Sequence, residues 1–244
     1  MKNPYFSVVI PALNEQNFIE NILTNLKNQT LGDFEVIVSD GNSSDKTTQK
    51  ALKFKKYYPI SIASSKIRNL SHQRNFGAKN ASGKFIFFID ADNTIPNDFL
   101  EKTKKFIEEK RLDAVIPKLV SGEKSFFNSI AYPVSIFMVR YSLFTPRPFS
   151  TGGNLIISKK TFEKTKGFST KVFVGEDHEM VRQLKEIKAR IMLMSSTYVI
   201  FSMRRFEKEG FFTYIKYAYA FVYQIINRDV PKKIYKYKMG GDNY

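Results

Sequence analysis

The chain has 244 residues, 43% of them hydrophobic, which is enough to bury a full core and excludes a disordered protein. It has no cysteine, which excludes disulfides and thiolate metal sites and suits a cytosolic setting. The formal net charge of +16 favours polyanionic partners such as phosphorylated substrates and anionic lipid, with a lysine-rich surface that serves solubility alone as the even alternative; nucleic acid shares that chemistry, but no recognition motif for it is present and none is expected as a partner.

In chain order, Tyr5–Pro11 reads as a strand, and the apolar run after Pro4 is of strand length, so no signal segment is expected. Residues 14–29 follow as a helix, with Phe18, Ile22, Leu23 and Leu26 at helical spacing and Asn14 as its N-cap. Phe34–Asp40 is a second strand ending in an acid; Ser44 or Asp45 then caps a helix running toward Tyr57. Ile60–Ser64 is a short strand, and residues 69–81 are a helix stopped by Ser82-Gly83. On this pattern His72 faces solvent, and a solvated helix face is the plainer alternative for Arg74. Lys84–Asp90 is a strand, residues 96–109 a helix with Pro96 near its start, and Asp113–Pro117 a strand. The turn Ser150–Gly153 precedes a strand over 154–158 and a short helix closed by Gly167. Residues 175–189 form a helix whose first turn carries Glu176, Asp177 and Glu179, a placement that complements the helix dipole. Residues 190–194 and 197–203 read as two separate strands.

Alternating strands and helices of these lengths specify an α/β fold, a mainly parallel sheet with helices on both faces. In such sheets ligands bind beyond the carboxyl ends of the strands, where Pro11, Asp40 and Asp90 fall. No stretch reaches the roughly 20 apolar residues of a spanning helix. Phe126–Val139 carries Asn128 and Pro133, and Phe211–Ile226 is interrupted by Lys216, so both read as buried or membrane-surface helices.

The segment "FFIDADN" ends an apolar run in Asp90 and Asp92. In extended chain these side chains share a face, and two carboxylates there need a cation between them. Mg²⁺ or Mn²⁺, held by one or two carboxylates plus substrate phosphates, suits such a pair; the plainer alternative is a loop whose acids cap the next helix. A second acidic candidate is Glu176-Asp177, where dipole capping is again the plainer reading. His178 reads as a packing or surface residue, not a ligand.

Four motifs in order, "SVVIPALNEQNFIENIL", "FEVIVSDGNSSDKT", "RNFGAKNASGKFIFFIDADN", and "GGNLIISKKTFEKTKGF" with "GEDHEMVRQL", resemble the inverting family 2 glycosyltransferases of the GT-A fold, over roughly residues 5 to 190. The resemblance implies a donor half in which Pro11, Asn14 and Glu15 line the base and ribose of a UDP- or GDP-sugar and Asp40 hydrogen-bonds the base. It implies that Arg74 faces the ribose or diphosphate. Asp90 would bind the ribose or the metal's water, and Asp92 would ligate Mn²⁺ or Mg²⁺. It implies Asp177 as general base toward a sugar or lipid-linked acceptor, with Glu176 beside it. Arg204 and Arg205 stand where the family has an Arg-containing segment near the leaving diphosphate; a basic membrane-facing surface is the even alternative. Asn93 departs from the pattern, since many members carry a third acid there. The processive Q-x-x-R-W pattern is missing, and the chain has no tryptophan, so a non-processive enzyme is implied.

Two rival readings weigh less. A nucleotidyltransferase would carry a glycine-rich phosphate loop after the first strand, and "IPALNE" has no glycine. A degenerate member acting as a basic membrane scaffold would have lost Asp92 or Asp177, and both are present. The expected organisation is a catalytic domain over 1–204, divided into a nucleotide-binding half 1–117 and an acceptor half 118–204, followed by a helical extension 205–244. From Lys208 onward lysines mix with Phe and Tyr, the composition of an interfacial surface, so peripheral attachment to the inner face of the cell membrane is a further expectation.

Overall fold

The computed structural model describes residues 3–122, 134, 136–150, 152–172 and 175–202. Arg204, Arg205, the domain boundary at 204, the extension 205–244 and most of the apolar segment Phe126–Val139 lie outside these residues.

Seven strands form one sheet in the order β3-β2-β1-β4-β6-β5-β7. They are β1 (Phe6–Ala12), β2 (Phe34–Asp40), β3 (Ile60–Ser64), β4 (Phe85–Phe88), β5 (Ala114–Ser121), β6 (Leu155–Ser158) and β7 (Ile191–Phe201). All neighbours pair in parallel except β6, which runs antiparallel to β4 and β5. The expected mainly parallel α/β sheet is therefore present. The two strands expected after residue 189 are one: β7 pairs with β5 throughout, and the pairing jumps from Pro117↔Met194 to Lys118↔Tyr198, so an irregularity at 195–197 breaks the sequence pattern without ending the strand.

Side chains alternate across each strand and feed two cores. Phe6, Val8 and Ile10 of β1 face one core with Ile22 and Leu26 of α1 (Ile19–Lys27), Ala51 of α2 (Thr47–Leu52), and Phe99 and Ile107 of α4 (Phe99–Lys110). Val9 faces the other, with Ala78 of α3 (Leu70–Asn80), Val139 of α5 (helical residues 136–142), and Met180, Val181 and Leu184 of α7 (Glu176–Glu186). Between β6 and α7 lies the single turn α6 (Lys159–Phe162). Thus α3 and α7, which carry Arg74 and the Glu176-Asp177 pair, share one face of the sheet.

Two local features position the site. Gly77 lets α3 lie directly on β1, since a Cβ there would come within 2.3 Å of Val9. β1 joins β2 on one side and β4 on the other, and pairing with β4 ends at Val9↔Phe88 while pairing with β2 continues to Ala12↔Asp40. The sheet opens at the carboxyl ends of β1 and β4, where the winding reverses, which is where a doubly wound sheet places its ligand. Pro11 sits on the opened edge, where its missing N–H costs no bond to β4.

Asn14 is not the N-cap of α1. The helix starts at Ile19 with Phe18 in the cap position, and Asn14 instead adopts left-handed backbone (φ 53) and accepts the Ser44 N–H at 2.9 Å. The N-cap position of α2 is held by Lys46, without a side-chain cap bond, and neither Ser44 nor Asp45 occupies it, although Asp45 just before it accepts the Thr47 N–H at 2.9 Å.

Candidate active site

The loops after β1 and β2 are tied together. The Asn14 N–H donates to Ser43 Oγ, the Glu15 N–H to Thr47 Oγ1 and the Gln16 N–H to Asp45 Oδ2, at 2.8–3.0 Å. Asp40, buried at the end of β2, accepts from the Asn42 and Ser43 N–H groups, each at 3.1 Å to Oδ2, and from the Ser43 hydroxyl. This fixes the loop shape around Asp40, Asn14 and the buried Glu15 before any ligand arrives.

Arg74 is the centre of the second half of the site. It is fully buried, not solvated, because α3 presses it between the sheet and α7. Its Nη2 donates to Asp90 Oδ1 at 2.9 Å and its Nη1 to Glu176 Oε1 at 2.5 Å. Burial opposes its charge, but Asp90, Glu176 and Asp177 more than offset that, and the guanidinium is held more firmly charged than in water. The cation that Asp90 requires is thus a side chain of the protein itself.

Asp90 and Asp92 do not share a face of extended chain. β4 ends at Phe88, and residues 90–93 form a turn closed by the Asn93 N–H to the Asp90 carbonyl at 3.2 Å. Asp90 points to Arg74, and Asp92 lies half-buried two residues on. Asn93 is fully buried: its Nδ2 donates to Asn154 Oδ1 at 3.1 Å and its Oδ1 accepts the Ser202 N–H at 3.3 Å. The amide that replaces a third acid thereby fastens the turn to β6 and to the end of β7.

Asp177 opens α7 beside Arg74 and accepts the Gly153 N–H at 3.1 Å through Oδ2. Gly153 sits at φ +79, and a Cβ there would come within 2.3 Å of Arg74 Nη2. His178 Nδ1 accepts the Ser150 N–H at 3.0 Å. The same nitrogen lies 3.6 Å from Asp177 Oδ2. Burial pushes the Glu176 carboxyl up; the neighbouring Asp177 charge adds to this, Arg74 pulls against it, and the net direction is upward. Burial acts likewise on Asp177, but His178, the Gly153 N–H and Arg74 outweigh it, and the net direction is downward. Environments that drive two adjacent carboxyls apart give them different protonation duties.

Three carboxyls, Asp90, Glu176 and Asp177, gather at one guanidinium here, with Asp92 two residues on from Asp90, an acidic site in a chain of net charge +16. Among the described residues no group of three or more His, Cys, Asp or Glu could hold a metal by itself. Two carboxylates in one turn fit Mg²⁺ or Mn²⁺ shared with a ligand's phosphates, not a resident all-protein cage. His72 is not simply solvent-facing: it is half-buried, with Nε2 2.9 Å from Ser65 Oγ and its ring stacked on Phe76.

The sequence model of the family described as Glycosyl transferase family 2 matches residues 7–166. The chain belongs to that family. It is 29% identical over 144 residues to the poly(ribitol-phosphate) beta-N-acetylglucosaminyltransferase TarS of Staphylococcus aureus, a match covering 55% of this chain and 25% of the relative. It is 34% identical over 128 residues to the minor teichoic acid biosynthesis protein GgaA of Bacillus subtilis, covering 49% and 29%. The chain therefore spans between a quarter and a third of these curated relatives. Among solved structures, Staphylococcus aureus TarS 1–349 with UDP-GlcNAc superposes with a TM-score of 0.65 at 24% identity, over 80% of this chain and 57% of that one. The mannosyltransferase PcManGT of Pyrobaculum calidifontis with GDP-Man and Mn²⁺ superposes with a TM-score of 0.73 at 19% identity, over 95% and 66%. The fold is GT-A.

The matched region includes the Asp40 loop, Arg74, the 90–93 turn and Gly153; Glu176 and Asp177 lie just beyond it. Sequence reasoning missed Gly153, Asn154 and Asn75, whose Oδ1 accepts the Phe168 N–H and whose Nδ2 donates to the Phe168 carbonyl, both at 2.8 Å. The doubled glycine before β6 was the one signal that the chain there needs positive φ.

Proposed function

We propose that this protein is an inverting, metal-dependent, non-processive glycosyltransferase that moves a sugar from a nucleotide-diphosphate donor, a UDP- or GDP-sugar, to an acceptor hydroxyl or phosphate. The observation that carries the reading is that one buried guanidinium, Arg74, joins Asp90 of the donor-side turn to Glu176 of the acceptor-side helix, with Asp177 next to it. In this reading Pro11, Asn14 and Glu15 flank the base and ribose, and Asp40 accepts from the base. Asp90 meets the ribose or a metal-bound water. Asp92, with Asp90 behind it, would hold Mn²⁺ or Mg²⁺ together with the donor's phosphates. When bound, the ion supplies positive charge to the leaving diphosphate. That charge is needed because the acidic rim described above otherwise repels it. Arg204 and Arg205 are proposed to add cationic contacts to the diphosphate.

Asp177, its carboxyl lowered by His178, the Gly153 N–H and Arg74, takes the proton of an acceptor hydroxyl as its oxygen bonds to the anomeric carbon. The bond from that carbon to the diphosphate breaks on the opposite face, and its electron pair leaves with the nucleoside diphosphate. Glu176 stays on Arg74 and fixes the helix start. The reading extends to a lipid-linked acceptor met at an anionic membrane face, a view supported by the basic, aromatic composition from Lys208 onward.

The test is slow donor hydrolysis. Incubation with a panel of UDP- and GDP-sugars, with and without Mn²⁺, should release a nucleoside diphosphate and a free sugar of inverted configuration from one donor, and only with the ion. Release of a nucleoside monophosphate with a sugar phosphate would mark nucleotidyl chemistry instead and overturn the reading.

A further inference from the structure

α5 is apolar on both its inner and its outer side, unlike a helix on a soluble surface. Its inner side is ordinary: Val139 is buried, and Ile136 and Leu143 pack with Met180, Val181 and Leu184. Its outer side is aromatic. Phe137 and Tyr141, four residues apart, share one face of α5, and Val134 before it and Phe144 in the turn after it follow at the same three- and four-residue spacing; their exposures are 68%, 66%, 51% and 85%. Single exposed apolar residues are common on proteins, but a contiguous stripe of large ones marks a binding face.

We infer that this face docks the protein on an anionic lipid bilayer, with Phe137, Tyr141 and Phe144 entering the headgroup boundary and Arg140 beside them. Charge selects this occupant. Arg140 and Arg147 are exposed, and between Glu123 and Glu163 the sequence contains no Asp or Glu. A second copy would bring a face of the same sign, and residues 203–244 of the same chain are also basic, nine Lys or Arg against four Asp or Glu. A bilayer rich in anionic lipid complements both features, because interfacial helices combine buried aromatics with cations at the headgroups.

The face is also tied to the acceptor side of the site. Lys185 Nζ donates to the Leu143 and Thr145 carbonyls at 2.7 Å, pinning the end of α5 to α7. Ser142 Oγ accepts the Phe149 N–H at 2.9 Å, and the next residue, Ser150, donates to His178 beside Asp177. Docking through α5 thus fixes the start of α7 relative to the lipid surface. The inference deepens the proposed membrane-acceptor reading and rests on it only for its purpose, since lipid binding needs neither donor nor metal.

The experiment is co-sedimentation of the full chain with vesicles of seven parts phosphatidylcholine to three parts phosphatidylglycerol, at low and high salt. The wild type should sediment at low salt. The double variant Phe137→Ser/Phe144→Ser should bind at least about tenfold more weakly, and Arg140→Gln roughly fivefold more weakly at low salt only. Because the chain has no tryptophan, Phe144→Trp places a single indole reporter on the face by a conservative change, and its emission should shift to the blue on vesicle addition. Four results would each overturn the inference: wild type left in the supernatant at low salt, a double variant that sediments like wild type, an indole reporter that stays unshifted while the Phe144→Trp protein sediments, or a wild-type dimer that the double variant dissolves. Donor hydrolysis without vesicles should be equal in wild type and double variant, so a failure of docking and a failure of the proposed chemistry register separately.

Discussion

Gly153 and Arg74 are in such close register that a Cβ on the glycine would stand 2.3 Å from Nη2 of the guanidinium. The same glycine holds Asp177 through its N–H and sits at φ +79, where a side chain is strained. Gly153→Ala should therefore push Arg74 off Asp90 or Glu176 and tilt Asp177 together. We expect stability to fall by about 1–3 kcal/mol and turnover to fall further than donor affinity does. Urea unfolding alongside initial rates checks this; an alanine variant with normal kcat would mean that Arg74 has room to move.

Arg74 itself is a buried cation with paired carboxylates on either side. Removing one partner of such a cluster leaves charge stranded in a dry site, a cost of about 3–5 kcal/mol. Arg74→Met should show a loss of that order in urea unfolding at neutral pH. Arg74→Lys, which cannot reach two carboxylates with a rigid fork, should recover only part of it. Equal stability of the lysine variant and wild type would show that charge alone matters and geometry does not.

Much of this was legible beforehand because strand β2 and helix α3 announce their ends chemically, with Asp40 and the Ser82-Gly83 stop. The parallel sheet and the gathering of Pro11, Asp40 and Asp90 at strand ends followed from periodicity. What sequence could not supply was partnership across long separations. Arg74 and Glu176 are 102 residues apart, and nothing local distinguishes a buried arginine on α3 from a solvated one. The pairing of Asn93 with Asn154 was hidden for the same reason. The Asp90-Ala91-Asp92 geometry was misjudged because the apolar run suggested extended chain to residue 90, whereas hydrogen bonding closes a turn there.

Asp90 is committed to Arg74, so Asp92 is the acid of the 90–93 turn on which the proposed ion depends most. Asp92→Ala should abolish Mn²⁺-dependent donor binding in a protein that still unfolds in one cooperative urea transition, since the residue lies in the turn beyond β4 and not in the sheet. Calorimetric titration of donor with and without Mn²⁺ is the measurement. Unchanged binding in the variant would move the ion elsewhere.

The two carboxyls at the start of α7 should leave opposite signatures in pH. Asp177, lowered in the folded state, contributes stability above its ordinary value of 3.8, and that contribution is lost as pH falls through the folded value. Glu176, raised from 4.5, contributes stability that is fully present below 4.5 and is lost as pH rises through its higher folded value. The Tm of Glu176→Gln minus that of wild type should therefore grow more positive from about pH 4.5 toward neutrality and above. Asp177→Asn should lower kcat by about 10²–10⁴ with little change in donor KM, as expected for a lost general base. A Tm difference that stays flat, or near-normal turnover in the asparagine variant, would exchange or dissolve these roles.

Asn93 offers a separate test, because the departure from an acid at this position has a structural reason. Its Nδ2 donates to Asn154 Oδ1, and Asn154 uses its own Nδ2 on the Gly152 carbonyl at 3.2 Å, so Asn154 cannot turn its amide around without giving up that bond. In Asn93→Asp an acceptor oxygen would face Asn154 Oδ1 at a fully buried position, and no donor would lie between them. The variant should lose about 1–3 kcal/mol in urea unfolding, the range for stranding a buried polar group. Its Mn²⁺ affinity should not improve, since the side chain is committed to Asn154 and the Ser202 N–H. Asn154→Ser in the same background should recover part of the lost stability by offering a hydroxyl donor to the new carboxylate. If Asn93→Asp instead tightened Mn²⁺ binding at no cost in stability, the 90–93 turn would be free to rotate its third residue toward the ion, and its anchoring to β6 would not be what holds Asp92 in place.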